Sequence, residues 1–240
     1  MSAQELIYTV KSFSDKKIAN SSKRFFKTGK GEYGQDDIFL GIPVPRIRTI
    51  IRNHQKMSFK ELRIVIVNPF HEIRLAGLLI VVLKAKQAHS VGERKKIFDW
   101  YTRHVKYVNN WDLVDATAEH IVGRYMSDMS GVERLVYIHK MIRSKNMWEN
   151  RIIMIATLYE IRKGNCTLAV YVAEHLLTHS HDLIHKAVGW MLREVGKRDR
   201  ALHIVFLNSY AKTMSRTTLR YAIEHFSPTQ RKKYLGINKL

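Results

Sequence analysis

Acidic residues, glycine, proline and cysteine are all scarce in this 240-residue chain. Asp and Glu number 21 against 41 Lys and Arg, while the charged share, 26%, is ordinary. The net charge of +20 therefore comes from bases standing where acids would, not from an unusually polar surface. Glycine and proline number 12 and 4, about half of their usual share of roughly 12%. So few breakers point to a mostly helical chain. The single cysteine, Cys166, excludes an internal disulfide framework and any Cys-rich zinc or iron–sulfur site. It reads as a small helix-start or core residue. The longest apolar run, Leu75 to Leu83, is about half a membrane span. No cationic stretch followed by an apolar core opens the chain as a secretory signal would. The expectation is a soluble, cytoplasmic protein with no membrane partner.

What is present fits that expectation. A hydrophobic share of 45% can bury a sizeable core. A sequence pI near 10 makes nucleic acid the leading partner, because Lys and Arg on phosphates release condensed counterions.

Three capping boxes mark helix starts: Ser58-Phe-Lys-Glu61, Ser90-Val-Gly-Glu93 and Ser130-Gly-Val-Glu133. Pro45 suits the first turn of a helix running to about Gln55. Helical periodicity then recurs over 70–87, 91–107, 111–126, 131–144, 148–163, 166–178, 182–197, 199–211 and 215–226. These segments pair up with a period of about 35 to 40 residues. His71-Glu-Ile-Arg74, Trp148-Glu-Asn-Arg151, Ile184-His-Lys186 and Thr218-Leu-Arg220 each open the second helix of a pair. In register, Arg74, Asp115, Arg151, Lys186 and Arg220 share one slot, at spacings of 41, 36, 35 and 34. The expected fold is a single all-α domain over residues 1–240, a right-handed superhelical solenoid of HEAT-like repeats. Its second helices would line a concave basic face. Arg74, Arg151, Lys186 and Arg220 are its expected DNA contacts; a solvated charged rim is the other reading. Asp115 breaks the sign of the row. It either pairs with Arg151 or faces a cationic centre held on DNA.

Two motifs point to chemistry that their surroundings do not support. Gly29-Lys-Gly-Glu-Tyr-Gly34 matches the dinucleotide fingerprint, but a helix precedes it instead of a strand. A glycine-rich loop or short hairpin over about 29–37 is the better reading. His181 and His185 share one helix face at a zinc-compatible spacing. Aspartate stands where the zinc-protease motif has glutamate, and no third ligand is evident, so no metal is expected there.

Trp111, Asp115, Arg151 and Trp190 make more sense together than apart. Trp111 and Asp115 lie four residues apart on one helix face. Trp190 lies four residues after Lys186, one helix turn from the slot, as Trp111 lies four before Asp115. At these residues the chain resembles the AlkD family of DNA alkylation repair glycosylases, built from HEAT-like repeats. The resemblance covers most of the chain. It rests on Phe39-Leu-Gly-Ile-Pro-Val-Pro45, Asn110-Trp-Asp-Leu-Val-Asp115, Trp148-Glu-Asn-Arg151 and Lys186-Ala-Val-Gly-Trp-Met-Leu-Arg-Glu194. It implies that Asp115, Trp111, Trp190 and Arg151 are the catalytic set, and that no cofactor is needed. The implied activity is hydrolytic excision of cationic alkylpurines such as N7-methylguanine and N3-methyladenine from duplex DNA.

The residue inventory suits that chemistry. A cationic purine leaves as a neutral base, so one carboxylate can serve where glycoside hydrolysis usually employs two. With no lysine in the set, an abasic site is the expected product. The protein would act as a monomer, associated with the nucleoid through its DNA. Two departures stand out: Asn110 occupies a place that is aromatic in some close members, and shorter members lack much of Gly29–Asp37. Relatives in the wider superfamily bind branched DNA without excision, some through a protruding hairpin, and are the alternative. A HEAT-type scaffold for an acidic protein partner is a third reading.

Overall fold

Ser2 accepts a hydrogen bond from the Glu5 N–H and so starts α1 (Ala3–Lys11). Asp15 accepts from Lys17 and Ile18 and starts α2 (Lys16–Phe25). The computed structural model describes residues 2–237, so the ends of the expected 1–240 domain lie outside the described residues. After a run of turns come α3 (Val44–Ile51), α4 (Phe59–Ile66), α5 (His71–Gln87), α6 (Val91–Arg103) and the five-residue α7 (Trp111–Asp115). There follow a π-helical turn (Glu119–Gly123), α8 (Arg124–Met126), α9 (Gly131–Ile142), α10 (Met147–Ala156) and α11 (Leu158–Arg162). The chain finishes through α12 (Thr167–Leu176), α13 (Asp182–Arg198), α14 (Arg200–Tyr210), α15 (Arg216–Ala222) and α16 (Pro228–Ile237). The protein is all-α, and no strand occurs among the described residues; Ile38 and Phe70 form one isolated bridge. No described helix is long and apolar enough to cross a membrane.

The expected helix starts hold, with one exception in detail. Ser90–Glu93 and Ser130–Glu133 form complete capping boxes. Ser58 accepts from the Glu61 N–H, but the Glu61 carboxylate accepts from the Ala3 N–H instead of closing the box. The stretch expected as one helix over 111–126 is broken. Thr117 turns its hydroxyl onto the Leu113 and Val114 carbonyls and onto Tyr101, and the π-helical turn follows. Side-chain hydroxyls that bond the preceding turn commonly bend or interrupt a helix.

The contacts divide the chain into two compact units, Met1–Thr117 and Ala118–Leu240. In the first, α5 is the central element. It is apolar nearly all round, as suits a helix buried on every side, and α1, α3, α4 and α6 pack on it. Gly41 lets the chain turn tightly into α3: its φ is +83°, and a Cβ there would meet the Asp15 carbonyl oxygen at 2.1 Å. In the second unit α9 pairs with α10, α12 with α13, and α14 with α13. The second helices α10, α13 and α15 pack in sequence, and α9 packs on α12. That is the stacking of helix pairs the repeat period implied.

Candidate active site

In the first unit the candidate residues gather around α7. Asn110 caps this helix, its Oδ1 accepting from the Trp111 N–H at 2.8 Å. Its Nδ2 donates to Asp37 Oδ2 at 2.7 Å. Asp37 ends the glycine-rich segment, which folds as a succession of turns and not as a hairpin. The backbone bond from His71 N to Ile38 O (2.8 Å) brings Asp37 to the start of α5. There His71 lies between two carboxylates. Its Nδ1 is 3.1 Å from Asp37 Oδ2 and its Nε2 is 2.8 Å from Asp112 Oδ2.

The charges in this cluster are fixed by one another. Burial would push the His71 pKa down, but the charge and hydrogen bond of Asp112, joined by Asp37, outweigh it and raise it to about 9. Burial would likewise raise the Asp37 pKa, yet the His71 hydrogen bond and charge, then Arg74 and Asn110, lower it to about 2. Asp37 is thus an anion, and the imidazolium bridges it to Asp112. Arg74 completes the cluster by donating to Asp37 and to Asn109 Oδ1.

Arg74 departs from its expected place. It is only 4% exposed, and its Nη1 donates to the Asn68 and Pro69 carbonyls at 3.1 and 3.0 Å. A guanidinium so engaged cannot meet a phosphate without giving up these bonds. Its role is to tie three segments together. Neighbouring Glu72 is used in the same way, its carboxylate accepting from the N–H groups of Leu40, Gly41 and Ile42.

On this foundation Trp111 and Asp115 stand half-buried on one face of α7. The Trp111 indole stacks on Phe26 (centroids 5.3 Å, planes 15° apart) and receives the edge of Phe25 at 5.6 Å. Phe25 itself is 64% exposed, so the aromatic surface continues outward from Trp111. Burial pushes the Tyr101 phenol up, Thr117 opposes this, and the Asp115 charge adds to it. The Asp115 charge is therefore felt one helix away.

The second unit holds Arg151 and Trp190. Asn146 caps α10, accepting from the Trp148 N–H at 3.0 Å. Arg151 is 4% exposed on α10, and its Nη1 donates to the Leu183 carbonyl in the first turn of α13. Trp190 is half-buried on α13. Gly189 before it lets α15 approach: a Cβ there would meet Tyr221 Cβ at 2.5 Å and Thr218 O at 2.6 Å. Lys186 pairs with Asp182 (2.8 Å), which also accepts from Thr217 Oγ1 (3.0 Å). Arg220 is exposed and makes no hydrogen bond or ion pair among the described residues.

The histidines of the zinc-like spacing are occupied with the helix start. His181 Nδ1 accepts from the Leu183 N–H at 3.1 Å, and His185 Nε2 bonds the His179 carbonyl. No group of three or more His, Cys, Asp or Glu side chains placed to hold a metal occurs among the described residues.

The structure thus joins Trp111 to Asp115 within one unit and seats Arg151 against the start of Trp190's helix within the other. Sequence reasoning missed Asp37, His71 and Asp112, and missed Phe25 and Phe26 beside Trp111. The visible signals were the acid closing the glycine-rich segment and the histidine opening α5.

Residues 6–226 match the family described as DNA alkylation repair enzyme. A solved structure described as a predicted DNA alkylation repair enzyme from Enterococcus faecalis is similar, with a TM-score of 0.68 at 17% identity. The likeness covers 90% of this chain and 97% of that one, and at such identity it speaks to the fold. No curated protein matches the chain.

Proposed function

Since the chain belongs to the DNA alkylation repair enzyme family, we propose that it is a monofunctional DNA glycosylase. It hydrolyses the N-glycosidic bond of cationic N-alkylpurines, N7-methylguanine and N3-methyladenine among them, in duplex DNA. The product is an abasic site. It acts as a monomeric, single HEAT-like domain on cytoplasmic DNA, with a concave basic face toward the duplex.

The observation that carries this reading is the construction of α7. A five-residue helix cannot hold its own shape, yet this one is fastened at its first turn by a buried ion cluster. Cap and cluster together hold a carboxylate and an indole on one face. As the C1′–N bond breaks, positive charge moves to the deoxyribose. Asp115 stabilises that charge and holds the attacking water, while Trp111 and Trp190 turn negative ring faces toward it. At about 4 Å and an effective dielectric of about 20, the carboxylate contributes on the order of 4 kcal/mol, roughly a thousandfold in rate. That is enough for a labile cationic leaving group and too little for an intact base. Arg151, as buried as Arg74 and spent on the Leu183 carbonyl, positions the helix that carries Trp190. Lys186 and Arg220 hold phosphates along the strand, with Arg74 and Arg151 removed from that set by their burial. The turn-built segment before Asp37 forms no protruding hairpin of the kind some branched-DNA relatives use.

The test is release of free base from methylated duplex DNA, with Asp115→Asn beside the wild type. Release by the wild type, lost about a thousandfold in the variant while DNA affinity holds or rises, is the expected result. Tight, salt-sensitive DNA binding with no release by either protein would replace this reading with structure-specific binding.

A further inference from the structure

In the first unit, α4 and the end of α6 flank an open groove of about 630 Å³ that the proposed chemistry does not use. Four cations line it: Lys60 and Arg63 from α4, Arg103 from α6, and Lys106 from the turn beyond. Among the described residues lining it there is no carboxylate. The acids next to these cations in sequence are already engaged. Glu61 accepts from the Ala3 N–H at 2.6 Å, and Asp99 pairs with Lys95 at 2.8 Å. Lys60 and Arg63 are exposed and make no hydrogen bond or ion pair among the described residues. Arg103 spends only its Nε, on the Asp99 carbonyl. Clustered cations left uncompensated oppose folding, so their arrangement around one concavity asks for an anion.

The floor of the groove says which kind. Trp100 lies at its base, its ring tilted against Phe59 (5.7 Å) and His104 (4.4 Å). The bond from His104 Nδ1 to the Trp100 carbonyl, 2.7 Å, holds the imidazole in place. Phe59 and Tyr107 are half-buried and offer ring surface at the two sides, with Lys84 over the first ring and Lys106 over the second. Cations gathered around aromatic faces are the platform on which single-stranded nucleic acid binds. A duplex keeps its bases stacked inside and offers such a groove only its phosphates.

We propose that the α4–α6 groove is a second nucleic-acid site, which binds a short single-stranded DNA segment. Its phosphates rest on Lys60, Arg63, Arg103 and Lys106, and a base lies against Phe59 or Tyr107. The site shares no residue with α7 and does not depend on the glycosylase reading.

The experiment uses the whole chain and a fluorescein-labelled oligothymidylate of about eight nucleotides, with anisotropy read over a range of salt. The variant carries Lys60→Ala, Arg63→Ala and Arg103→Ala, three exposed side chains whose loss leaves the core intact. Binding is expected to weaken at least about tenfold, and the slope of log affinity against log salt to flatten by about 2. Base release from methylated duplex is expected to stay at the wild-type rate. An oligonucleotide carrying 5-iododeoxyuridine should photo-cross-link to the peptide holding Phe59 or the one holding Tyr107. Unchanged affinity and slope in the triple variant would overturn the proposal, as would cross-links confined to other helices. So would an unlabelled duplex that competes equally, nucleotide for nucleotide. Failure of the glycosylase reading shows separately, as no base release by any variant, and leaves these outcomes unaffected.

Discussion

In the first unit α7 is five residues long and is held by charge; in the second, α13 is seventeen residues long and is held by packing. Trp111 and Asp115 owe their placement to Asn110 and to the imidazolium of His71 clasped between Asp37 and Asp112. Trp190 owes its placement to Gly189 and to a helix buried along most of its length against α10, α12 and α15. The difference follows from length. A long amphipathic helix gains enough from apolar burial to fix its side chains, whereas a helix of little more than one turn needs anchors outside itself. A charged anchor brings dependence on protonation, which an apolar seat does not have.

Replacing His71 with leucine breaks the comparison most directly. The leucine fills the space but takes from Asp112 its charged partner and leaves Asp37 with Arg74 and Asn110 alone. Removing one partner of a buried ion pair costs about 3–5 kcal/mol. The loss should fall on the first unit: amides of α5 and α7 should exchange faster, while those of α10 and α13 keep their wild-type protection. Equal loss of protection in both units would show that α7 is not held by this cluster.

The two units should also respond to pH with opposite signs. The His71 pKa is raised from 6.5 to about 9, so its contribution is whole below pH 6.5 and is lost as pH rises through 9. A shift of that size is worth about 3 kcal/mol. In the second unit, burial first and the Arg200 charge second lower the His203 pKa from 6.5 to about 4. The unfolded chain then binds the proton more readily, so stability falls as pH drops below 6.5, and the loss is complete below about 4. Hydrogen exchange at pH 5, 7 and 9 should find the second unit weakest at the acid end and the first weakest at the alkaline end. The same trend in both units would contradict the assignment.

These anchors differ in how far the sequence revealed them. Helix starts at Ser90 and Ser130 were legible because a capping box is complete within four residues. At Ser58 the same pattern half failed, because Ala3, distant in the chain, takes the glutamate. The break after Asp115 was hidden, since apolar spacing alone cannot tell a continuous helix from one interrupted at Thr117. Register analysis put Arg74 and Arg151 in one column, and both prove to be buried. A column records which residues are equivalent, not whether another segment covers them. Asp37 covers Arg74, and that contact joins residues 37 apart by way of a turn-rich loop. The pair Trp111 and Asp115 was readable because one helix turn contains both.

The smallest expected effect sharpens the packing side of the comparison. His203 is buried beside Gly196 and meets the Phe226 ring edge-on at 5.3 Å. Neither of its ring nitrogens has a hydrogen-bond partner among the described residues. A buried polar group left unsatisfied carries a desolvation penalty of about 1–3 kcal/mol. Leucine at position 203 would remove that penalty and the proton that destabilises the second unit in acid. It would also lose part of the ring contact with Phe226. The balance should favour His203→Leu by about 1 kcal/mol at pH 7, before any acid advantage. At pH 5 the gain should grow, because only the wild type then takes up a proton on unfolding. Denaturant midpoints of wild type and variant at both pH values measure this directly. A variant that is less stable at pH 7, or whose advantage does not widen at pH 5, would mean that His203 is satisfied in solution and that the second unit, too, is anchored by a polar contact.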